Sequence, residues 1–146
     1  MTYTIEQLSF EELGAFLRKQ AEDCFPDLKD EQRLCLLAEK WSTYAECCTC
    51  RNNNCHLIGM IAFYANQTNE GICYIPHVYV DSDFRGQGLF SSMMRLIEEH
   101  IKRKNFKTIR LEVNKFNENA QLVYLHYGFS IVSNASEKTL FMEYKL

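Results

Sequence analysis

The sequence predicts one α/β domain over residues 1–146, a mixed sheet flanked by helices in the order β-α-α-β-β-β-α-β-α-β-β. Three observations carry that prediction. Two helical repeats follow a short first strand. Three strand-like runs then succeed one another across polar turns. The last of these runs passes through a glycine-bearing turn into a third amphipathic helix. A chain of 146 residues that is 47% hydrophobic and 13% aromatic, with 2 prolines and 6 glycines, can bury a real core and lacks the composition of a disordered segment.

Residues 3–8 read as the first strand. Ser9-Phe10-Glu11-Glu12 reads as a capping box, with the serine taking a free N–H and Glu12 reaching back. Leu13, Phe16, Leu17, Ala21 and Cys24 then recur at helical spacing, and Pro26 ends that helix. Asp27 or Asp30 starts the second helix, with Leu34, Leu37, Ala38 and Trp41 on one face. Strands are expected at 43–50, 55–65 and 72–80, separated by Arg51-Asn52-Asn53-Asn54 and Gln67-Thr68-Asn69-Glu70-Gly71. Pro76 lies inside the third of these and cannot donate to a ladder, so the sheet is expected to bulge or open there. A polar turn at 81–88 leads into a helix whose apolar face is Phe90, Met93, Met94, Ile97 and Ile101. Ile109, Leu111 and Val113 alternate through a strand at 108–114, a short helix spans 117–127 before Gly128, and strands at 129–132 and 139–144 close the chain.

Composition also excludes functions. A formal net charge of -3 favours neither nucleic acid nor an anionic membrane. The longest apolar run, residues 57–65, is too short to span a bilayer, and the first residues lack the layout of a signal peptide. Seven cysteines, an odd number, read as reduced thiols, and the expected location is cytoplasmic. In Cys47-Cys48-x-Cys50-x4-Cys55-His56 a strand would turn Cys48 and Cys50 to one face and Cys47 to the other, a poor start for a zinc tetrahedron. No metal is expected, and a zinc-bearing interaction module stands as the minor alternative.

The chemistry points to the segment Val78-Tyr79-Val80-Asp81-Ser82-Asp83-Phe84-Arg85-Gly86-Gln87-Gly88-Leu89-Phe90. A strand, a glycine turn and a helix N-terminus together make an anion cradle, because free N–H groups and the positive end of the helix dipole converge there. No Gly-Lys-Ser/Thr follows, so it is not a Walker A loop. Ser91 stands where a third glycine would complete a G-x-G-x-x-G. Downstream, residues 117–129 read N-x-x-A-x-x-x-Y-x-x-x-G-F.

With both motifs in this order and spacing, the chain from about Cys55 onward resembles the GCN5-related N-acetyltransferase (GNAT) family. That resemblance implies a mostly antiparallel sheet and acetyl-CoA as co-substrate. Its pyrophosphate would lie on the main chain of Arg85, Gly86, Gln87, Gly88, Leu89 and Phe90. Phe90 departs from the small residue that usually ends the pattern. Val78 and Val80 would pair with the pantetheine arm like an added strand. Asn117 would bond that arm, and Tyr124 would protonate the departing thiolate. A glutamate in Leu-Glu-Val, twelve residues before the tyrosine, is the base in relatives that acetylate protein N-termini, and Glu112 occupies that position.

His77, with its near-neutral pKa, is a second candidate base, and a water relay is the third. Ping-pong transfer through Cys73 is disfavoured, because His77 lies four residues on, roughly 13 Å along an extended strand. The acceptor is expected to be an amine of a small molecule or a protein, and a second copy of the chain stays open as a partner. The acids Glu22, Asp23, Asp27, Asp30 and Glu31 read as a solvated face more readily than as a trap for a cationic amine. A non-catalytic acyl-CoA sensor on the same fold is the competing reading.

Overall fold

The computed structural model describes residues 1–66 and 70–146. Its elements are β1 (Thr2–Glu6), α1 (Phe10–Asp23), a 3-10 turn (Pro26–Lys29), α2 (Glu31–Tyr44), β2 (Glu46–Arg51), β3 (Leu57–Tyr64), β4 (Ile72–Val80), a second 3-10 turn (Ser82–Phe84), α3 (Leu89–Lys102), β5 (Thr108–Asn114), α4 (Glu118–Tyr127), β6 (Ser130–Asn134) and β7 (Thr139–Lys145). The order is the expected one. The strands form one mostly antiparallel sheet, β1-β2-β3-β4-β5-β7-β6, in which β4 and β5 run parallel. Of the turn expected at Gln67-Thr68-Asn69-Glu70-Gly71, residues 67–69 lie outside the described residues, and Gly71 takes a left-handed φ of 65°.

Two compact units divide the chain. The first comprises Met1–Phe63 and His77–Ile97. Its helix α1 starts at Ser9, whose hydroxyl accepts from the Glu12 amide at 3.1 Å. Only that half of the expected capping box forms, because the Glu12 carboxylate accepts from Arg51 at 2.9 Å instead. Asp30 caps α2 through the amides of Gln32 and Arg33. A strand was expected from Thr43, but α2 continues through Tyr44, and Gln7 donates to the carbonyls of Ser42 and Thr43 at its end. Arg51, expected in the turn, closes β2 and ties Glu6, Glu12 and the Cys55 carbonyl together. Phe63, Leu13, Leu17, Met60, Met93 and Ile97 are among the larger buried side chains of this unit. Burial of each such side chain contributes about 1.5–3 kcal/mol.

The second unit comprises Tyr64–Pro76 and Glu98–Leu146. The parallel β4–β5 ladder matches Ile72–Ile75 to residues 108–111 and ends one residue before Pro76, where the sheet is expected to open. Ile109, Leu111 and Val113 on β5 are buried, with Phe129 and Met142. Helix α4 is capped at its start by Asn117, and it ends at Gly128, whose φ of 126° suits only glycine. Strand β6 lies at the sheet edge with all five residues exposed.

Candidate active site

The first unit holds the anion cradle. Val78 and Val80 are half-buried on β4, alternating with the buried His77 and Tyr79. The strand delivers the chain to Asp81, whose carboxylate caps the following 3-10 turn by accepting from the Asp83 amide at 3.0 Å. Gly86 and Gly88 both take left-handed conformations, φ 77° and 82°. A Cβ at either would meet nothing within 4 Å, so these glycines are needed for backbone direction, and the space over the turn is open. The Gly88 carbonyl accepts the first helical bond of α3, from Ser92 at 3.1 Å. The amides of Leu89, Phe90 and Ser91 therefore precede any partner four residues back, which is what a bound anion requires. Phe90 is 8% exposed and Leu89 3%; both rings and branches turn inward and leave the cradle's outer side to Arg85, Gly86, Gln87 and Gly88, all exposed. This open, donor-rich turn fits a diphosphate.

Arg85 is not left pointing into solvent. Its Nε donates to the Val80 carbonyl at 2.9 Å, and one terminal nitrogen reaches the Asp23 carboxylate at 2.6 Å. Asp23 also accepts from the Tyr79 hydroxyl at 2.8 Å. One turn earlier on α1, Lys19 pairs with Asp81 at 2.9 Å. Nothing local in the sequence signals the contacts with α1, since those partners lie some sixty residues apart.

His77 is 9% exposed, with Phe25 and Trp41 at ring distances of 4.7 and 5.0 Å. Its Nε2 donates to the Gln20 side-chain oxygen at 2.6 Å. Burial pushes its pKa down to about 4, against a smaller opposing pull from Asp27.

The second unit holds the other three candidates. Glu112 is exposed on β5 opposite Phe141 of β7. Tyr74, half-buried on β4, has its hydroxyl pKa raised, chiefly by burial and next by the Glu112 charge. Tyr74 was not singled out in the sequence, where it reads as an ordinary strand residue. The Asn117 side-chain oxygen caps α4 by accepting from the Ala120 amide at 3.1 Å. Tyr124 sits on α4 with its ring 5.9 Å from that of Phe129, and burial pushes its hydroxyl up to about 12.

The acids of the α1–α2 connection are mostly committed. Asp23 holds Arg85, Asp27 pairs with Arg33 at 3.1 Å, Asp30 caps α2, and Glu31 pairs with Arg18. Cys47, Cys48, Cys50 and Cys73 are buried thiols, and among the described residues no group of three His, Cys, Asp or Glu side chains is arranged to hold a metal ion. No described helix is long and apolar enough to cross a membrane.

The sequence profile described as the Acetyltransferase (GNAT) family matches residues 9–129. The chain belongs to the GNAT acetyltransferase family. Its fold is that of solved GNAT structures. One is the PaiA N-acetyltransferase from Thermoplasma acidophilum in complex with coenzyme A, at 16% identity and TM-score 0.75, with 100% of both chains covered. Another is Ard1 from Thermoplasma volcanium, at 22% identity and TM-score 0.73, covering 100% of this chain and 99% of that one. Tetrahymena GCN5 gives 12% identity and TM-score 0.74 over 99% and 96%. No curated protein sequence matches the chain. Membership in the GNAT family supports acyl transfer as the general chemistry, with coenzyme A bound in one such relative.

Proposed function

We propose that this GNAT chain acts as a single domain over residues 1–146, moving an acetyl group from acetyl-CoA directly to a primary amine of a small molecule or protein. The observation that carries the reading is the open turn at Gly86 and Gly88 between β4 and the N-terminus of α3. Acetyl-CoA supplies an activated thioester. The main chain of Arg85 to Phe90 binds its diphosphate through amides and the helix dipole. The edge of β4 at Val78 and Val80 aligns the extended arm, and the Val80 N–H opposes negative charge growing on the thioester oxygen. Asn117 adds a bond from its Nδ2, since its oxygen serves the α4 cap.

Tyr124 donates the proton that the leaving sulfur takes up. Burial holds its hydroxyl near 12, so it stays protonated at neutral pH but is a weaker acid than a free phenol, and the transfer relies on its position beside the sulfur as negative charge builds there. Glu112 is the favoured base for the incoming ammonium. His77 is the weaker candidate, because its ring is enclosed and bonded to Gln20 and its pKa lies near 4. The cytoplasm, where acetyl-CoA and reduced thiols coexist, is the proposed location.

A panel of amine acceptors with acetyl-CoA, read by release of free thiol, tests the assignment. Glu112→Gln is expected to depress the rate most near neutral pH, where the amine is largely protonated, and His77→Ala to leave that profile in place. Tight binding of acetyl-CoA with no turnover on any amine would favour a sensor over an enzyme.

A further inference from the structure

One face of α1 is addressed to the last residues of β4 and the start of the cradle. Phe16 packs edge-on against Tyr79 at 5.5 Å, Lys19 pairs with Asp81, Gln20 bonds His77, and Asp23 takes both Tyr79 and Arg85. The two ion pairs have opposite polarity and the same four-residue spacing on each side, Lys19 and Asp23 against Asp81 and Arg85. Their signs allow one register of helix against loop.

The peptide unit between Val80 and Asp81 is held at both ends. Its N–H, from Asp81, bonds the Ile58 carbonyl of β3 at 2.8 Å. Its C=O, from Val80, bonds Arg85 Nε at 2.9 Å. A trans peptide points these two groups in opposite directions, so the Val80 carbonyl faces away from β3. Within a strand a residue's N–H and C=O share a side. The Val80 N–H therefore lies on the same side as its pinned carbonyl. The β4–β5 ladder covers only Ile72–Ile75, so this side of Val80 lies beyond it.

We propose that Asp23 is a positioning residue for the cofactor arm: it holds Arg85 against the Val80 carbonyl, and so fixes the direction of the β4 edge groups with which an extended arm pairs. Arg85 thereby serves the site through its side chain as a brace, while the diphosphate is left to main-chain amides. The inference rests on the acyl-CoA reading above.

The test compares coenzyme A with 3′-phospho-ADP, which keeps the diphosphate and lacks the arm, by isothermal titration on the whole chain. Asp23→Asn is expected to weaken coenzyme A about tenfold and 3′-phospho-ADP less than threefold, with Asp23→Glu restoring most of the loss. Arg85→Lys keeps the charge opposite Asp23 and removes the Nε donor, so it should show the same selective loss and serves if Asp23→Asn does not fold. Equal weakening of both ligands, or no weakening of either, overturns the proposal and leaves the cradle standing. Failure of the unaltered chain to bind coenzyme A overturns the cofactor reading, and this inference with it.

Discussion

Tyr124 and His77 are moved by the same force to opposite uses. Burial disfavours the charged form of each, so the phenol keeps its proton and the imidazole refuses one. For Tyr124→Phe the ring and its contact with Phe129 survive and one hydroxyl is lost. Coenzyme A affinity should hold, while kcat falls about 100-fold, the low end for general acid help because thiolate is a fair leaving group; an unchanged kcat would remove Tyr124 from the mechanism. For His77 the effect is on stability. Its folded pKa, about 4, lies below its unfolded value of roughly 6.5, so above pH 6.5 both states leave it neutral and its contribution is whole. As pH falls from about 6.5 the unfolded chain gains a proton that the folded one does not, and stability declines until about pH 4. The loss should approach about 3 kcal/mol, at 1.36 kcal/mol per pH unit. Urea melts across that range should show a flatter profile in His77→Gln; parallel profiles would place the pH dependence elsewhere.

At the scale of elements, the parts legible in the sequence are those whose causes are local. Ser9, Asp30, Asn117 and Gly128 mark helix ends through bonds that span two to four residues. The cradle was legible for the same reason, being one strand, one turn and one helix in succession. The end of α2 was not, because Gln7 secures it from 35 and 36 residues away, and Ser-Thr-Tyr alone favours a strand. Nor was the brace on Arg85, or the enclosure of His77 by Gln20, each made by a partner from α1. The cradle yields a prediction of its own. A Cβ at Gly88 has room, but φ of 82° penalises it, so Gly88→Ala should cost about 1–2 kcal/mol of stability and only weaken acetyl-CoA. Gly88→Asp adds a negative charge beside the diphosphate and should abolish binding. The readout is the thermal midpoint with and without acetyl-CoA, which at 100 times its dissociation constant should add about 2.7 kcal/mol to the parent and nothing to the aspartate variant.

Over the whole molecule, the thiols fall into two sets that a chemical label can tell apart. Cys24 and Cys55 are exposed and Cys35 is half-buried, whereas Cys47, Cys48 and Cys50 on β2 and Cys73 on β4 are buried. Burial pushes Cys47 and Cys48 up to about 12, so in the native state they are sealed from alkylating reagents and also scarcely ionised. An alkylation pulse should therefore add up to three tags to the native chain and seven to the denatured one. The protected thiols also divide by unit: those of β2 belong to the first and Cys73 to the second. Divided by the rate for the unfolded thiol, their labelling rates under native conditions report opening equilibria, as amide exchange does when reclosing is fast. Equal rates at Cys48 and Cys73 would mean that the two units open in one cooperative event. A faster Cys73 would identify the unit carrying Tyr124 as a foldon that opens by itself, leaving the cradle folded.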